Sequence, residues 1–248
     1  MKKRKQPIIA LAQIRYFDVS KSNNLGKIKK YIRLAKKRNA DIVCFPESCL
    51  HKSSLNFDSK AIQEITVECK KNSIWCIITD DIKKNDKIYN SSLLINRKGK
   101  IVGDYKKIHL YGDKALAGRK SMVFKTDFGK IGIAICWDLA FPDLFQKMMD
   151  NGAEIVFCPA QWWYEPKAHH EKQIEREEHI LESLILARAF ESLMFVALCN
   201  PVMDSKYQVP YSAIASPHKI LKKIIGREGL ITAKLNLNEL KKFHKIYD

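Results

Sequence analysis

The apolar residues of this chain fall into short runs of strand length, several of them closed by a proline or an ionisable residue. Residues 7–14, Asp41 to Phe45, Ile74 to Ile78, Ile155 to Cys158 and Met194 to Cys199 are the five clearest runs. They are rich in Ile, Val, Leu, Phe and Cys, as strands buried on both faces are. Between them lie amphipathic patterns of helical period. Leu25, Ile28, Ile32 and Ala35 recur with lysines on the opposite face, Ile62, Ile65 and Cys69 mark residues 58–71, and Ile180, Leu184, Ala187 and Phe190 mark residues 168–192. Buried strands alternating with such helices call for sheets covered by helices on their outer faces.

The remaining elements fit that scheme. Ser91 to Asn96 and Lys100 to Tyr105 read as a hairpin about Lys98-Gly99, and Met122 to Thr126 with Lys130 to Ile135 as a second about Phe128-Gly129. Pro142 to Met149 reads as a helix, and Lys107 to Arg119 has no period and reads as a loop. Ser212 to Ser216, Ile220 to Ile225 and Leu230 to Leu235 read as strands before a short basic closing helix. Ser22 or Asn23 is expected to cap the first helix, and Pro46 and Pro159 to halt the strands they follow. With no low-complexity linker and no repeat, residues 1–248 are expected to form a single α/β domain, residues 1–6 being a disordered basic N-terminus.

Composition narrows the function classes. At 46% hydrophobic and 29% charged, the chain has the apolar content a folded core needs. No apolar run approaches the roughly 20 residues of a membrane-spanning helix. Ile8 to Ala12 is too short for a secretory apolar region, so a cytoplasmic location is expected. The formal charge of +17 comes from lysines spread thinly over the chain. Its densest clusters, Lys2 to Lys5, Lys27 to Arg38 and Lys219 to Lys223, lack interleaved aromatics, which reads as a solvated basic surface and not a nucleic-acid groove. None of the seven cysteines forms a Cys-x-x-Cys pair, so neither a zinc site nor a redox motif is indicated.

Three segments place a chemically capable residue just past an apolar run: Cys44-Phe45-Pro46-Glu47, Tyr105-Lys106-Lys107-Ile108-His109 and Ala134-Ile135-Cys136-Trp137-Asp138. Strand ends are where scaffolds hold reactive groups. A carboxylate, an ammonium and a thiol make a coherent set. The carboxylate can take the thiol proton, and the ammonium can lower the thiol pKa and steady an oxyanion. On the residues alone, His109 is a rival base for Cys136.

These segments, in this order, resemble the motifs of the nitrilase (carbon-nitrogen hydrolase) superfamily. Ile9-Ala10-Leu11-Ala12-Gln13 is similar to its first strand, and Ala40 to Glu47 to its Glu motif. Tyr105 to Leu110 is similar to its Lys motif, and Ile131 to Asp143 to its Cys motif. Asn151 to Val156 and Leu186 to Ser192 follow where the family has its later segments. The resemblance implies a four-layer α-β-β-α sandwich, commonly paired through helices as a homodimer or higher homo-oligomer. It implies a Glu47, Lys107 and Cys136 catalytic set, with the Trp137 backbone N–H as an oxyanion donor, His109 in a structural position, and no metal or organic cofactor. Cys136-Trp137-Asp138 followed by Phe141-Pro142-Asp143 is closer to the amidase and carbamoylase branches than to true nitrilases. The activity implied is hydrolysis of a small linear amide or N-carbamoyl compound through a cysteine thioester.

The chain departs from the family at three places. The loop from Leu110 to Gly118 lacks the glutamate many members carry there, and Asp113 is the only acid in it. Asp113 is then either a shorter substitute in substrate binding or a turn residue. Trp162 belongs to the aromatic segment Gln161-Trp162-Trp163-Tyr164 and is expected to border the substrate pocket. The nearby His169, His170, Glu171 and His179 lack the spacing of a metal site. Ser216-Pro217-His218-Lys219 replaces a Pro-x-Gly turn. The missing loop glutamate motivates a rival reading, a weak or inactive relative serving as an oligomeric binding protein, and the net charge motivates a more remote one, a polyanion-binding protein.

Overall fold

A computed structural model describes residues 6–15, 24–51, 53–112, 114–164, 174–203 and 205–247, and among these described residues it has thirteen strands and five α-helices. The expectations placed on Lys2 to Lys5, Ser22, Asn23, Asp113, His169, His170 and Glu171 lie outside the described residues.

The first sheet contains β1 (Ile8–Gln13), β2 (Ile42–Glu47), β3 (Leu55–Asn56), β4 (Trp75–Lys84), β5 (Lys87–Ile95), β6 (Ile101–Lys106) and β13 (Gly229–Lys234). Its order is β13-β1-β2-β4-β5-β6, with β3 beside β4. The second contains β7 (Val123–Lys125), β8 (Lys130–Ile133), β9 (Ile155–Pro159), β10 (Phe195–Cys199), β11 (Tyr211–Ser216) and β12 (Lys219–Ile225), in the order β12-β11-β10-β9-β8-β7. Each sheet has a parallel centre, β1-β2-β4 in one and β8-β9-β10 in the other, with antiparallel flanks.

Strand alternation sorts the side chains into layers. Ile9, Leu11, Ile42, Cys44 and Ile77 pack with Ile131, Ile133, Ile155 and Phe157 of the facing sheet. Their neighbours Ala10, Ala12, Val43, Phe45, Cys76 and Ile78 point the other way, onto Ile28 and Ile32 of α1 (Leu25–Lys37) and Ile62 and Ile65 of α2 (Lys60–Asn72). On the outside of the second sheet lie α3 (Pro142–Asp150) and α4 (Ile174–Glu191), whose Phe145, Met148, Leu181 and Ile185 are buried. Gly132 permits that packing, since a Cβ there would meet the Met148 sulfur at 2.5 Å. The result is helices, sheet, sheet, helices, as expected. Truncating one of the fully buried Ile or Leu residues to Ala would cost about 2–5 kcal/mol. A closing helix, α5 (Leu237–Tyr247), follows β13. Among the described residues no helix is long and apolar enough to cross a membrane.

Two expectations need correction. Pro46 does not halt β2, which runs on to Glu47 through a bulge: Cys44 lies opposite Ile77, but Glu47 lies opposite Thr79. The run from Ile74 does not stop at Ile78; β4 continues to Lys84 and turns directly into β5. The turn residues Asn85 (φ 50°) and Asp86 (φ 59°) are both left-handed, the geometry of a tight two-residue hairpin that Asn and Asp tolerate. The last strand, β13, leaves its sequence neighbours and pairs with β1 across the sandwich.

Candidate active site

Cys136 sits at a sharp elbow after β8. Ile135 is extended, Cys136 takes a left-handed φ of 48°, and a short 3-10 helix, Cys136–Ala140, begins at once. A left-handed non-glycine residue stores roughly 1–3 kcal/mol, so its surroundings must hold it. Asp138 supplies much of that hold. Its Oδ2 accepts the Ile135 N–H (3.0 Å) and the Tyr105 hydroxyl (2.7 Å), and its Oδ1 accepts the His109 N–H (2.8 Å) and pairs with His109 Nδ1 (2.9 Å). From α4, Arg188 donates to the carbonyls of Leu139 (3.0 Å) and Ala140 (3.3 Å), which have no acceptor role inside so short a helix.

Glu47 reaches the same place because of the β2 bulge. In unbroken alternation it would share the face of Phe45, toward the helices. The extra residue turns it to the face of Cys44, toward the second sheet. Lys107 follows β6, where Tyr105 points into the core, Lys106 points out over the Tyr89 ring (3.7 Å), and Lys107 points back in at 2% exposure. Its backbone is fixed on both sides, the N–H donating to the Asn90 carbonyl (2.9 Å) and the carbonyl accepting the Gly118 N–H (2.7 Å). Gly118 must be glycine for this approach, because a Cβ would stand 2.2 Å from the Lys106 carbonyl oxygen.

The three groups meet at one cavity of about 260 Å³, lined by Glu47, Lys107 and Cys136 together with Trp137, Gln161 and Trp162. Lys107 Nζ and Asn90 Nδ2 both donate to Glu47 Oε1 (2.9 and 2.7 Å), and the Gln161 backbone N–H donates to Oε2 (3.0 Å). The carboxylate is thus held from both sheets. Burial pushes the Cys136 thiol well above its ordinary pKa and the Glu47 carboxylate pushes it further, while Lys107 and the Gln161 backbone pull it down. The resting group is therefore a thiol, and an attacking thiolate requires a proton acceptor at hand. Trp137 is the second residue of the 3-10 helix, so its N–H is one of the donors a helix leaves unused at its start.

Of the residues expected from the sequence, Glu47, Lys107, Cys136, Trp137 and Trp162 all line this cavity, and Asp113 lies outside the described residues. His109 is not among the lining residues. Its ring stacks on Phe141 at 3.6 Å and bonds Asp138. Sequence reasoning missed four contributors: Asn90, Asp138 as a pin, the Gln161 backbone, and Glu177, a lining residue from α4. Asn90 carried a faint signal, as a polar residue before the apolar stretch of β5. Glu177 carried none, being one of several charges in Glu175-Arg176-Glu177-Glu178.

Comparison with known proteins bears on the family and the fold. Residues 8–245 match the family model described as carbon-nitrogen hydrolase. The chain is 29% identical to a 2-oxoglutaramate amidase of Bacillus subtilis over 244 residues, covering 90% of this chain and 89% of that one. It is 26% identical over 178 residues to the omega-amidase NIT3 of Saccharomyces cerevisiae, covering 65% and 58%. Among solved structures, Saccharomyces cerevisiae Nit3 superposes with a TM-score of 0.83 at 24% identity, covering 98% of this chain and 94% of that one.

Proposed function

Because the chain belongs to the carbon-nitrogen hydrolase family, we propose that it hydrolyses the carbon-nitrogen bond of a small linear amide or N-carbamoyl compound, with Cys136 as nucleophile, Glu47 as general base and acid, and Lys107 as oxyanion donor. The observation that carries this reading is the convergence of these three side chains on one cavity, from three strand ends in two sheets. The names of similar proteins, 2-oxoglutaramate amidase and omega-amidase, support the amide class.

The chemistry follows from the positions. Glu47 removes the proton of the buried thiol, and the thiolate attacks the amide carbon. The carbonyl π electrons move to oxygen, where Lys107 Nζ and the Trp137 N–H hold the charge. Each such donor is typically worth about 3 kcal/mol of barrier. As the tetrahedral species collapses, the carbon-nitrogen bond breaks and Glu47 returns its proton to the departing nitrogen, which leaves as ammonia or an amine. A thioester remains on Cys136. Glu47 then deprotonates a water that attacks the thioester carbon, releasing the acid and restoring the thiol.

The test is ammonia release from a panel of aliphatic amides, ω-amides, N-carbamoyl amines and nitriles, run with the wild type and Cys136→Ala. Release by the wild type alone, from amides or carbamoyl compounds, is expected. Silence of the wild type on the whole panel, or equal release by both proteins, would contradict the reading.

The proposal extends to a single domain acting in the cytoplasm as a homodimer or higher homo-oligomer. Exposed apolar side chains at the ends of α4 and α5 favour pairing through helices: Phe190 meets Tyr247 edge to face (5.6 Å between ring centroids), and neighbouring Ile246 is 71% exposed. Light scattering at micromolar concentration should give at least twice the chain mass.

A further inference from the structure

A second cavity, of about 770 Å³, lies on the outer side of the first sheet and shares no lining residue with the one that holds Cys136. Strand alternation builds its floor. Lys87 and Tyr89 share one face of β5, and in β6 Asp104 and Lys106 lie opposite Leu93 and Ser91, which puts all four on the face turned away from buried Tyr105. The segment that follows Lys107 closes the other side. Its Leu116 N–H donates to the Ile88 carbonyl (2.8 Å) and its Gly118 N–H to the Lys107 carbonyl (2.7 Å), and the next two residues, Arg119 and Lys120, line the cavity.

Four lining cations, Lys87, Lys106, Arg119 and Lys120, stand against the single carboxylate of Asp104. Among the described residues none of the four has an ion-pair partner, and Asp86, on the turn beside Lys87, is engaged by Lys83 (3.1 Å). Lys106 rests on the Tyr89 ring at 3.7 Å, which orders its ammonium without neutralising it. Asp104 Oδ1 is shut from solvent and has no hydrogen-bond partner. Even one further carboxylate would leave this wall positive. Like charges gathered around one concavity attract and are relieved by an anion.

We propose that this cavity binds an organic phosphate of nucleotide size, its phosphate oxygens gathered by Lys87, Lys106, Arg119 and Lys120. Arg119 brings the planar fork that grips phosphate with two hydrogen bonds, and the lysines act as point charges. The volume is that of a small-ligand pocket. Leu116 and Met122, 48% and 37% exposed, offer apolar surface to an organic body, and Asp104 is an acceptor for a hydroxyl or amino group beside the phosphate. Neither feature serves a bare inorganic anion. A single pocket also suits a small molecule better than a polymer, which needs a continuous groove lined by stacking rings.

Titration calorimetry of the full chain with ADP, inorganic pyrophosphate and adenosine tests it. ADP should bind one molecule per chain, about tenfold or more tighter than adenosine and tighter than pyrophosphate, with an affinity that falls as salt rises. Arg119→Gln/Lys120→Gln removes two exposed charges from the cavity and should weaken ADP about tenfold or more, with the fold intact by circular dichroism. Lys36→Gln/Lys37→Gln removes as many exposed charges from the end of α1, where Arg38 bonds the Leu230 carbonyl (2.6 Å) on the opposite edge of the same sheet. That control should bind ADP as the wild type does.

Absence of ADP binding at millimolar concentration would overturn the inference, as would adenosine or pyrophosphate binding as tightly as ADP. Equal weakening in the two double variants would reduce the effect to the net charge of +17 and remove the site. A single-stranded oligothymidylate should compete no better than ADP. If it binds more tightly, and the Arg119→Gln/Lys120→Gln change weakens it, the cavity serves a nucleic acid and the inference fails. Amide turnover enters none of these outcomes, so the site stands or falls apart from the hydrolase reading.

Discussion

Two buried carboxylates stand close to the thiol, and they are built in opposite ways. Asp138 is fully enclosed, and both of its oxygens are taken up by groups that belong to the scaffold: a tyrosine hydroxyl, two backbone N–H groups and a histidine ring. Glu47 is held as firmly, by Lys107, Asn90 and the Gln161 backbone, but it faces the cavity that Cys136 also faces. Asp138 can do nothing but fix shape. On the proposed function, Glu47 exchanges a proton with the substrate that enters. The difference teaches that burial and hydrogen bonding do not distinguish a structural acid from a reactive one; the identity of the donors and access to a cavity do. A third acid, Asp80, marks the other extreme. Among the described residues its oxygens accept backbone N–H groups from Leu50, His51 and Asp81, and burial, with the Asp81 carboxylate beside it, pushes its pKa up to about 7.

The comparison breaks most readily at Glu47. Glu47→Gln should lower kcat by about 10³-fold or more, the scale of a lost general base acting in two steps. The loss should persist at low temperature with the protein fully folded by circular dichroism. Recovery of activity on cooling would make Glu47 another structural pin. Asp138→Asn should show the reverse balance. Its amide nitrogen would confront donors, and denaturant unfolding should show a loss of about 3 kcal/mol. Unchanged stability would remove the distinction between the two acids.

Asp80 sharpens the comparison through pH. Its folded pKa of about 7 lies above the ordinary 3.8, so the folded protein holds a proton that the unfolded chain has released. Its contribution to stability is complete below pH 4 and is lost as pH rises toward 7. Comparing unfolding curves of the wild type and Asp80→Asn across that window should show a difference that changes by about 2 kcal/mol or more. A parallel pair of profiles would mean that Asp80 is ionised throughout. The smallest effect is expected at Tyr105→Phe, which removes one donor to Asp138 and should cost about 1 kcal/mol in urea unfolding, with the remaining donors still in place.

Much of this was legible in the chain. Buried strands announce themselves through Ile, Val and Cys, and residues such as Lys107 and Cys136 stood out because they follow such runs. The family resemblance singled out Lys107, two residues before His109, over Lys106, and strand alternation from buried Tyr105 explains why Lys107 is the one turned inward. Other features were hidden for definite reasons. The bulge that aims Glu47 is a property of the β2–β4 pairing and leaves no local mark except a proline, which reads as a stop. Two of the partners of Asp138, His109 and Tyr105, lie 29 and 33 residues away in sequence, so the motif reveals the acid but not its function as a pin. The turn at Asn85-Asp86 was lost in a run of polar residues. Glu177 was concealed by its charged neighbours, since a helix face becomes a cavity wall only once Trp162 is folded against it.

The central claim is that an acyl group passes through Cys136, and trapping it is the most direct test. The wild type, mixed rapidly with a substrate amide and quenched in acid, would be digested at low pH and mapped by mass spectrometry. The account predicts the mass of the acyl group on the peptide containing Cys136, removable by hydroxylamine, and neither adduct nor ammonia from Cys136→Ala. An acyl group on any other residue, or ammonia released by Cys136→Ala at the wild-type rate, would contradict it.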